Sequence, residues 1–219
     1  MSSATIGGGH VKLQLALDRL SKEQCFLLVR ETLPYIDWIE IGTGVIKEYG
    51  MDIVREMKLR YPGIVLVADM KTCDAGKFEA RQAFAAGADI VTVMAFSHNK
   101  TIQDALSVAA EYKAQIMIDM LQVEGFERIE ELADLGAKLF AMHIGKDGQA
   151  TGEQVGFQLE LQRFEHLELK FALAGGITAN SITTLKGKPD VLIVGSAITA
   201  SDNPREAAKE IRNLMKGKE

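Results

Sequence analysis

The sequence predicts a single (β/α)8 barrel, and three observations lead to this fold class. Eight short apolar runs recur along the chain, starting roughly every 25 residues, which is the length expected of one strand, loop and helix together. Amphipathic stretches with helical periodicity separate these runs. No linker rich in proline, glycine or serine divides the 219 residues. A chain of this length can form one large domain, so eight uninterrupted βα units predict one barrel.

The apolar runs are the predicted strands. In chain order they are Leu13–Asp18, Asp37–Gly42, Ile64–Lys71, Asp89–Ala95, Gln115–Met120, Lys138–Ile144, Leu169–Gly175 and Asp190–Gly195. Between them, residues such as Ile102, Ala105 and Ala109 share one helix face. Gly87 and Gly136 each precede a strand, where a helix should end. A doubly wound open sheet is the alternative, but it needs two edge strands and no run has the character of an edge.

Composition and charge exclude several classes of protein. The net charge is −5 with both signs mixed along the chain, so nothing predicts a nucleic-acid-binding surface. No apolar run is long enough to cross a bilayer. Cys25 and Cys73 are too few for a disulfide framework and have no metal-ligand spacing. We expect Cys25 in the core and Cys73 as a small filler, with a reactive thiol at Cys73 as the alternative.

The first residues are expected to lie outside the fold. Residues 1–10 lack the basic start and apolar centre of a signal peptide, and are interpreted as a disordered leader or tag. The catalytic domain is then expected to span residues 11–219. A reduced, cytoplasmic protein is the expectation that follows from the cysteine content and the absence of a targeting signal.

The third predicted strand ends in charged residues. Asp69 and Lys71 are two residues apart and should project to the same side of the strand. Asp74 follows where the chain must turn, at Ala75-Gly76. Two carboxylates around one ammonium beside an apolar core are costly to desolvate and often mark a functional site. A simple ion pair at a strand end is the alternative, but charged residues recur at other strand ends.

The active site of a barrel lies at the carboxyl ends of its strands. The side chains and turns expected there are Asp18, Glu40, Asp69, Lys71, Asp119, His143, Gly175-Gly176 and Gly195-Ser196. Asp18 could instead cap the helix that follows it. Glu40, between Ile39 and Ile41, faces the opposite way and needs a partner or a cation if buried. A lone histidine at a strand end is often structural, but the neighbours of His143 favour function.

Two kinds of ligand are predicted at this end of the barrel. The Gly175-Gly176 and Gly195-Ser196 turns expose backbone N–H groups after strands seven and eight, the usual phosphate site of such barrels. Glu40 and Asp69 offer hard oxygen ligands that suit Mg²⁺. A metal ion and Lys71 could stabilise an oxyanion beside a carbonyl. The enediolate of a phosphosugar fits this set of groups.

These residues resemble the orotidine 5′-monophosphate decarboxylase suprafamily. The run Asp69-Met70-Lys71-Thr72-Cys73-Asp74 matches its D-x-K-x-x-D motif. The resemblance covers nearly the whole chain from Lys12, through LQLALD, EIGT, GADIVTV, IDM, H-x-G-x-D-x-Q, ALAGGI and IVGSAIT. Within the suprafamily the chain looks most like the 3-hexulose-6-phosphate synthases, and next like the 3-keto-L-gulonate 6-phosphate decarboxylases.

The resemblance implies an activity and a set of roles. It implies Mg²⁺-dependent, reversible joining of ribulose 5-phosphate and formaldehyde through an enediolate to give 3-hexulose 6-phosphate. The implied metal ligands are Glu40 and Asp69, and the glycine turns would hold the phosphate. Lys71 and Asp18 would contact the substrate oxygens and His143 would move the substrate proton. The resemblance further implies a homodimer with shared active sites, in which Asp74 of one chain reaches into the neighbouring site.

Several positions bear on the choice between synthase and decarboxylase. Asp119, Ala174 and Ser196 resemble the synthases. Lys146 departs from them, because the decarboxylases carry arginine there and a cation could hold a water for protonation. Thr43-Gly44 departs from the usual Thr-Pro. The decarboxylase alternative would give L-xylulose 5-phosphate through the same enediolate.

Two further alternatives come from other classes of protein. A pentulose-phosphate 3-epimerase would need histidine ligands at several strand ends, whereas this chain has only His143 there. A non-catalytic phosphosugar-binding protein would not need an intact set of charged strand-end residues.

Overall fold

A closed barrel of eight parallel strands forms the centre of the computed structural model, which describes residues 10–145, 161–185 and 188–216. The strands are β1 (Lys12–Leu17), β2 (Trp38–Ile41), β3 (Val65–Thr72), β4 (Ile90–Met94), β5 (Gln115–Asp119), β6 (Leu139–His143), β7 (Lys170–Ala174) and β8 (Val191–Val194). Each strand pairs with the next, and β8 pairs with β1. The predicted barrel is confirmed, and the open sheet is excluded because no edge remains. Residues 1–9 of the predicted leader lie outside the described residues.

Helices follow the strands around the barrel. They are α1 (Lys22–Thr32), α2 (Thr43–Arg60), α3 (Gly76–Ala85), α4 (Asn99–Tyr112), α5 (Glu127–Asp134), α6 (Ala179–Thr184), α7 (Ser196–Thr199) and α8 (Pro204–Lys216), with a 3₁₀ helix at Leu161–Leu167. Ser21 caps α1 through a capping box with Gln24, so Asp18 is not the cap. Over the described part of the chain, no helix is sufficiently long and apolar to span a membrane.

Helix α2 contains a kink that depends on glycine. Gly50 has φ 62° and ψ −156°, a backbone conformation that is essentially restricted to glycine. The kink separates a first segment, which begins directly after β2, from a second segment that packs against the barrel through Ile53, Val54 and Met57. The first segment also packs on the core, through Val45, and its start lies at the carboxyl end of β2.

Alternate residues of each strand face two separate cores. Ile39 and Ile41 of β2 pack between the barrel and its helices. Trp38, on the other face of β2, belongs to the barrel interior. The interior cluster comprises Trp38, Val67, Ile90, Met117, Leu139, Ala141, Ala172, Ala174, Val191 and Ile193. Glu40 therefore points into the barrel above Trp38, as the alternation of the sequence predicted.

Three aspartates tie the starts of neighbouring strands at the amino end of the barrel. Each stands directly before an even-numbered strand, accepts an N–H from a residue of the preceding strand at 2.7 or 2.8 Å, and donates its own N–H to the carbonyl of that residue at 2.8 Å. The pairs are Asp37 with Leu13, Asp89 with Leu66, and Asp190 with Phe171. The two hydrogen bonds of each pair close a ring, which we call an aspartate ring. The three aspartate rings fix the register of β1–β2, β3–β4 and β7–β8 at the end opposite to the predicted site.

The two cysteines have different environments. Cys25 is fully buried in α1, and burial raises the pKa of its thiol to about 11. Cys73 is exposed, so the prediction that it fills space was wrong. Its side chain leaves the core because β3 ends at Thr72, one residue earlier.

Candidate active site

A bulge shapes the carboxyl end of β3. Strands β3 and β4 pair regularly as far as Ala68 opposite Val91, but the next pair is Thr72 opposite Val93. Residues 69–71 of β3 therefore face the single residue Thr92 of β4. Lys71 has a positive φ of 47°, which is uncommon for a residue with a side chain. Lys71 and Asp69 meet as predicted, but the bulge rather than simple strand alternation brings them together.

The Lys71 ammonium lies between two carboxylates. Its Nζ is 2.5 Å from Oδ2 of Asp119 and 3.2 Å from Oδ1 of Asp69. Burial would lower the pKa of Lys71, but the charges of Asp69 and Asp119 outweigh burial and hold this pKa above its usual value. Lys71 therefore remains a cation at the pH values at which proteins work.

Asp119 also orients His143. Nδ1 of His143 lies 3.0 Å from Oδ2 and 3.2 Å from Oδ1 of Asp119, which is 2% exposed. Burial would raise the pKa of Asp119, but the bond and charge of His143, together with those of Lys71, lower it to about 2. An ionised Asp119 can only accept hydrogen bonds, so Nδ1 carries the ring proton. Nε2 is then the basic nitrogen of neutral His143.

Glu40 occupies the neighbouring interior position. Its Oε2 accepts a hydrogen bond from Nε2 of Gln14, which is fully buried. Burial and the charge of Asp69 raise the pKa of Glu40 to about 8, although the Gln14 amide and Lys71 oppose this. Glu40 lies opposite Val67 on β3, two residues before Asp69. The two acidic side chains are therefore neighbours on the inner wall of the barrel.

This pair of acids fits a magnesium ion. A divalent cation between Glu40 and Asp69 would offset the repulsion that raises the pKa of Glu40. Across the described ranges, no cluster of three or more His, Cys, Asp or Glu residues is arranged as a complete metal site. Two carboxylates suit Mg²⁺, since this ion usually keeps several waters and takes further oxygens from a substrate. The chemistry of these two carboxylates thus fits the ion, and their role as metal ligands stays a prediction.

The other predicted residues lie around this centre. Asp18 follows β1, and its Oδ1 accepts the N–H of Gly44 at 2.9 Å. Asp74 is exposed just after β3. Among the described residues, no hydrogen bond or ion pair joins Asp18 or Asp74 to Lys71, Asp119 or His143. Lys146 lies outside the described residues.

The two glycine turns follow β7 and β8. Gly175 has φ 102° and Gly176 has φ 64°. A Cβ atom on Gly175 would lie 2.3 Å from the carbonyl oxygen of Ile144, so the turn requires glycine. Gly195 directly precedes the short helix α7, which begins at Ser196. Both turns lie at the same end of the barrel as Lys71, as predicted.

Three polar residues of the site were not predicted from the sequence to belong to it. Gln14 holds Glu40, while the Thr43 hydroxyl lies 2.7 Å from Oδ2 of Asp69. Thr92 donates its hydroxyl hydrogen to Oδ1 of Asp69 at 2.8 Å and accepts the N–H of Lys71 at 2.9 Å. A signal for Gln14 and Thr92 was available, because each is a polar residue alternating with aliphatic ones in a buried strand.

Comparison with known proteins identifies the family. The family model described as orotidine 5′-phosphate decarboxylase / HUMPS matches residues 11–211. The 3-hexulose-6-phosphate synthase 1 of Staphylococcus saprophyticus is 36% identical over 210 residues, covering 95% of this chain and 100% of the relative. The crystal structure of 3-hexulose-6-phosphate synthase from Salmonella typhimurium has a TM-score of 0.89 and 34% identity, over 95% and 100% of the two chains. The 3-keto-L-gulonate-6-phosphate decarboxylase of Vibrio cholerae has a TM-score of 0.84 and 28% identity, over 95% and 99%. The chain therefore belongs to the orotidine 5′-phosphate decarboxylase / HUMPS family.

Proposed function

We propose that the protein joins ribulose 5-phosphate and formaldehyde to give 3-hexulose 6-phosphate, a reversible aldehyde-lyase reaction. The observation that carries this proposal is the connected array of Lys71, Asp119 and His143 beside the acid pair Glu40 and Asp69. Such an array can remove a proton next to a carbonyl and stabilise the anion that forms. The relatives named as 3-hexulose-6-phosphate synthases support the same reaction.

The first step is removal of a proton from C1 of the sugar phosphate. The backbone N–H groups of the turns at Gly175-Gly176 and Gly195-Ser196 hold the phosphate. Nε2 of His143 takes the C1 proton, and the ionised Asp119 stabilises the imidazolium that forms. The Lys71 ammonium contacts the substrate oxygen on which negative charge develops, with Asp18 as a further polar contact.

The second step forms the carbon–carbon bond. C1 of the enediolate attacks the carbon of formaldehyde, and the formaldehyde oxygen takes up the proton that His143 holds. The product contains all the atoms of the two substrates, and no by-product is released. Mg²⁺, which Glu40 and Asp69 would hold, would supply Lewis-acid stabilisation of the developing negative charge. Lys71 adds a fixed charge that needs no reorganisation during the reaction.

A paired assay tests the proposed function. The purified protein with Mg²⁺ is given ribulose 5-phosphate and formaldehyde in one tube and 3-keto-L-gulonate 6-phosphate in another, with EDTA added to duplicates of both. Consumption of formaldehyde as the dominant, EDTA-sensitive rate is expected. Faster release of CO₂ would establish the decarboxylase instead, which Lys146 and the similarity to the Vibrio cholerae enzyme favour. No turnover, with a rise in Tm on adding ribulose 5-phosphate, would indicate a binding protein.

His143→Ala is expected to stop exchange of the C1 hydrogen of ribulose 5-phosphate with D₂O. The reason is that Nε2 of His143 is the base that removes this proton. NMR of the sugar phosphate in the absence of formaldehyde measures the exchange. His166→Ala is the control, since His166 is exposed in the 3₁₀ helix. Exchange at the wild-type rate in His143→Ala would remove His143 as the base.

We also propose that the protein is a homodimer in which Asp74 completes the partner's site. Asp74 is exposed, and the side chains of Phe78 and Phe96 are 77% and 55% exposed on neighbouring segments. Exposed aromatic side chains of this size are typical of interface centres. Sedimentation velocity is expected to show a particle of twice the chain mass, whereas a monomer at micromolar concentration would contradict the proposal.

A further inference from the structure

Thr92 is the single residue of β4 that faces the bulge of β3. It is 4% exposed and lies between Val91 and Val93, which are fully buried. We propose that Thr92 is a positioning residue whose hydroxyl holds the bulge and thereby fixes Asp69 and Lys71 in their working geometry. The inference rests on the roles proposed above for Asp69 and Lys71.

The first argument concerns the backbone of the bulge. The N–H and carbonyl of Leu66 face Asp89 at the start of β4, so regular alternation would turn the N–H of Lys71 towards β2. The bulge turns this N–H to the side of β4 instead, outside the regular ladder. The hydroxyl oxygen of Thr92 accepts this N–H at 2.9 Å. Lys71 is also held at φ 47°, a conformation that persists only where the surroundings enforce it. The bond to Thr92 is such a constraint.

The second argument concerns the carboxylate. The hydroxyl of Thr92 donates its hydrogen to Oδ1 of Asp69 at 2.8 Å. The hydroxyl of Thr43 lies 2.7 Å from Oδ2, so both oxygens of Asp69 are held. An N–H of Lys71 can only donate and a carboxylate of Asp69 can only accept, which leaves one orientation for the Thr92 hydroxyl hydrogen.

These two bonds make Thr92 more than a space-filling residue. One oxygen atom sets the backbone of Lys71 and the side chain of Asp69 together, so the ammonium and the carboxylate keep a fixed separation. Valine has nearly the same shape as threonine but can neither accept from Lys71 nor donate to Asp69. Serine retains both hydrogen bonds and loses only a methyl group.

The test compares Thr92→Val with Thr92→Ser. Mn²⁺ binding, measured by electron paramagnetic resonance as a stand-in for Mg²⁺, reports on Asp69 independently of turnover. Thr92→Val is expected to weaken Mn²⁺ binding by about 10- to 100-fold, the usual effect of losing a partner of a metal ligand. Its kcat is expected to fall by a similar factor, because Lys71 loses its position, with a smaller change in KM. Thr92→Ser should stay within about threefold of wild type in both.

Thr32→Val is the matched control. Thr32 is equally buried, but its hydroxyl donates at 2.7 Å to the carbonyl of Leu28 within α1, remote from the site. Thr32→Val is expected to change Tm alone. A wild-type kcat and Mn²⁺ affinity in Thr92→Val would overturn the inference, and so would equal losses in the Ser and Val variants.

The test also covers two other outcomes: a Thr92→Val variant that does not fold, and a wild-type protein that binds no Mn²⁺. If Thr92→Val does not fold, Thr92→Cys replaces it, since a thiol of similar size is only a weak donor and acceptor. Weakened Mn²⁺ binding and a lower kcat in Thr92→Cys support the inference, and wild-type values of both overturn it. If wild-type protein binds no Mn²⁺ yet turns over, the metal role of Asp69 fails. In that case kcat alone decides, and an unchanged kcat in Thr92→Val overturns the inference.

Discussion

Lys71→Ala is expected to reduce kcat/KM by about 100- to 1,000-fold, the scale on which loss of a preorganised oxyanion-stabilising group acts. Lys71 is the cation that stands between Asp69 and Asp119, and in the proposed mechanism it faces the developing negative charge. The steady-state rate of formaldehyde consumption measures the effect. A variant with near-wild-type turnover would remove Lys71 from the mechanism.

The same substitution should have a pH-dependent effect on stability. The bond and charge of Lys71 help to hold the pKa of Asp119 at about 2, below the value of a free aspartate, so the ionised form stabilises the native state. This contribution is complete above about pH 4 and is lost as the pH falls towards 2. The loss of Tm in Lys71→Ala should therefore be largest at neutral pH and shrink in acid.

Lys209→Ala is the control for both effects. Lys209 is an exposed residue of α8 that pairs only with Glu206 among the described residues, so the variant makes the same change of net charge. We expect wild-type turnover and a Tm close to that of wild type, since exposed pairs contribute little. Equal losses in the two variants would mean that net charge, rather than the place of Lys71, matters.

Asp119→Asn is expected to lower kcat by about 100- to 10,000-fold with a smaller effect on KM. The ionised carboxylate of Asp119 keeps the proton of neutral His143 on Nδ1, whereas an amide N–H can donate to Nδ1 and move the ring proton to Nε2. The base would then lack its lone pair at the substrate. ¹⁵N NMR of His143 distinguishes the two tautomers directly.

The control is Asp134→Asn, at an exposed position at the end of α5. It should leave both the tautomer of His143 and the turnover unchanged. A wild-type kcat in Asp119→Asn, or an unprotonated Nε2 in that variant, would show that Asp119 does not set the state of the base.

The strands could be predicted closely because their apolar runs are bounded by clear polar or glycine positions. Each predicted strand agrees with the structure within one residue at either end. The inward direction of Glu40 followed from its place between Ile39 and Ile41. The grouping of charged residues at strand ends followed from the fold class, since a parallel barrel brings all its carboxyl ends to one face.

The parts that could not be predicted depend on irregular backbone. Strand alternation contains no information about the register shift after Ala68, so Thr92 had no visible link to Lys71. Gln14 could not be assigned to the site, because a single sequence does not reveal which polar residue lies beside Glu40. Cys73 was misjudged for the same kind of reason, since the residue at which β3 leaves the core is set by the bulge.

The aspartate rings at the amino end of the barrel are not present in every pair of strands. Three neighbouring pairs of strands are closed by such a ring, whereas Lys138 stands directly before β6, where the other even-numbered strands have aspartate. Among the described residues, the pair β5–β6, which carries Asp119 and His143, therefore has no such ring at its base. Local opening requires least free energy where fewest bonds must break. We therefore expect the strand pair that carries His143, the proposed base, to open locally more readily than the pair that carries Lys71.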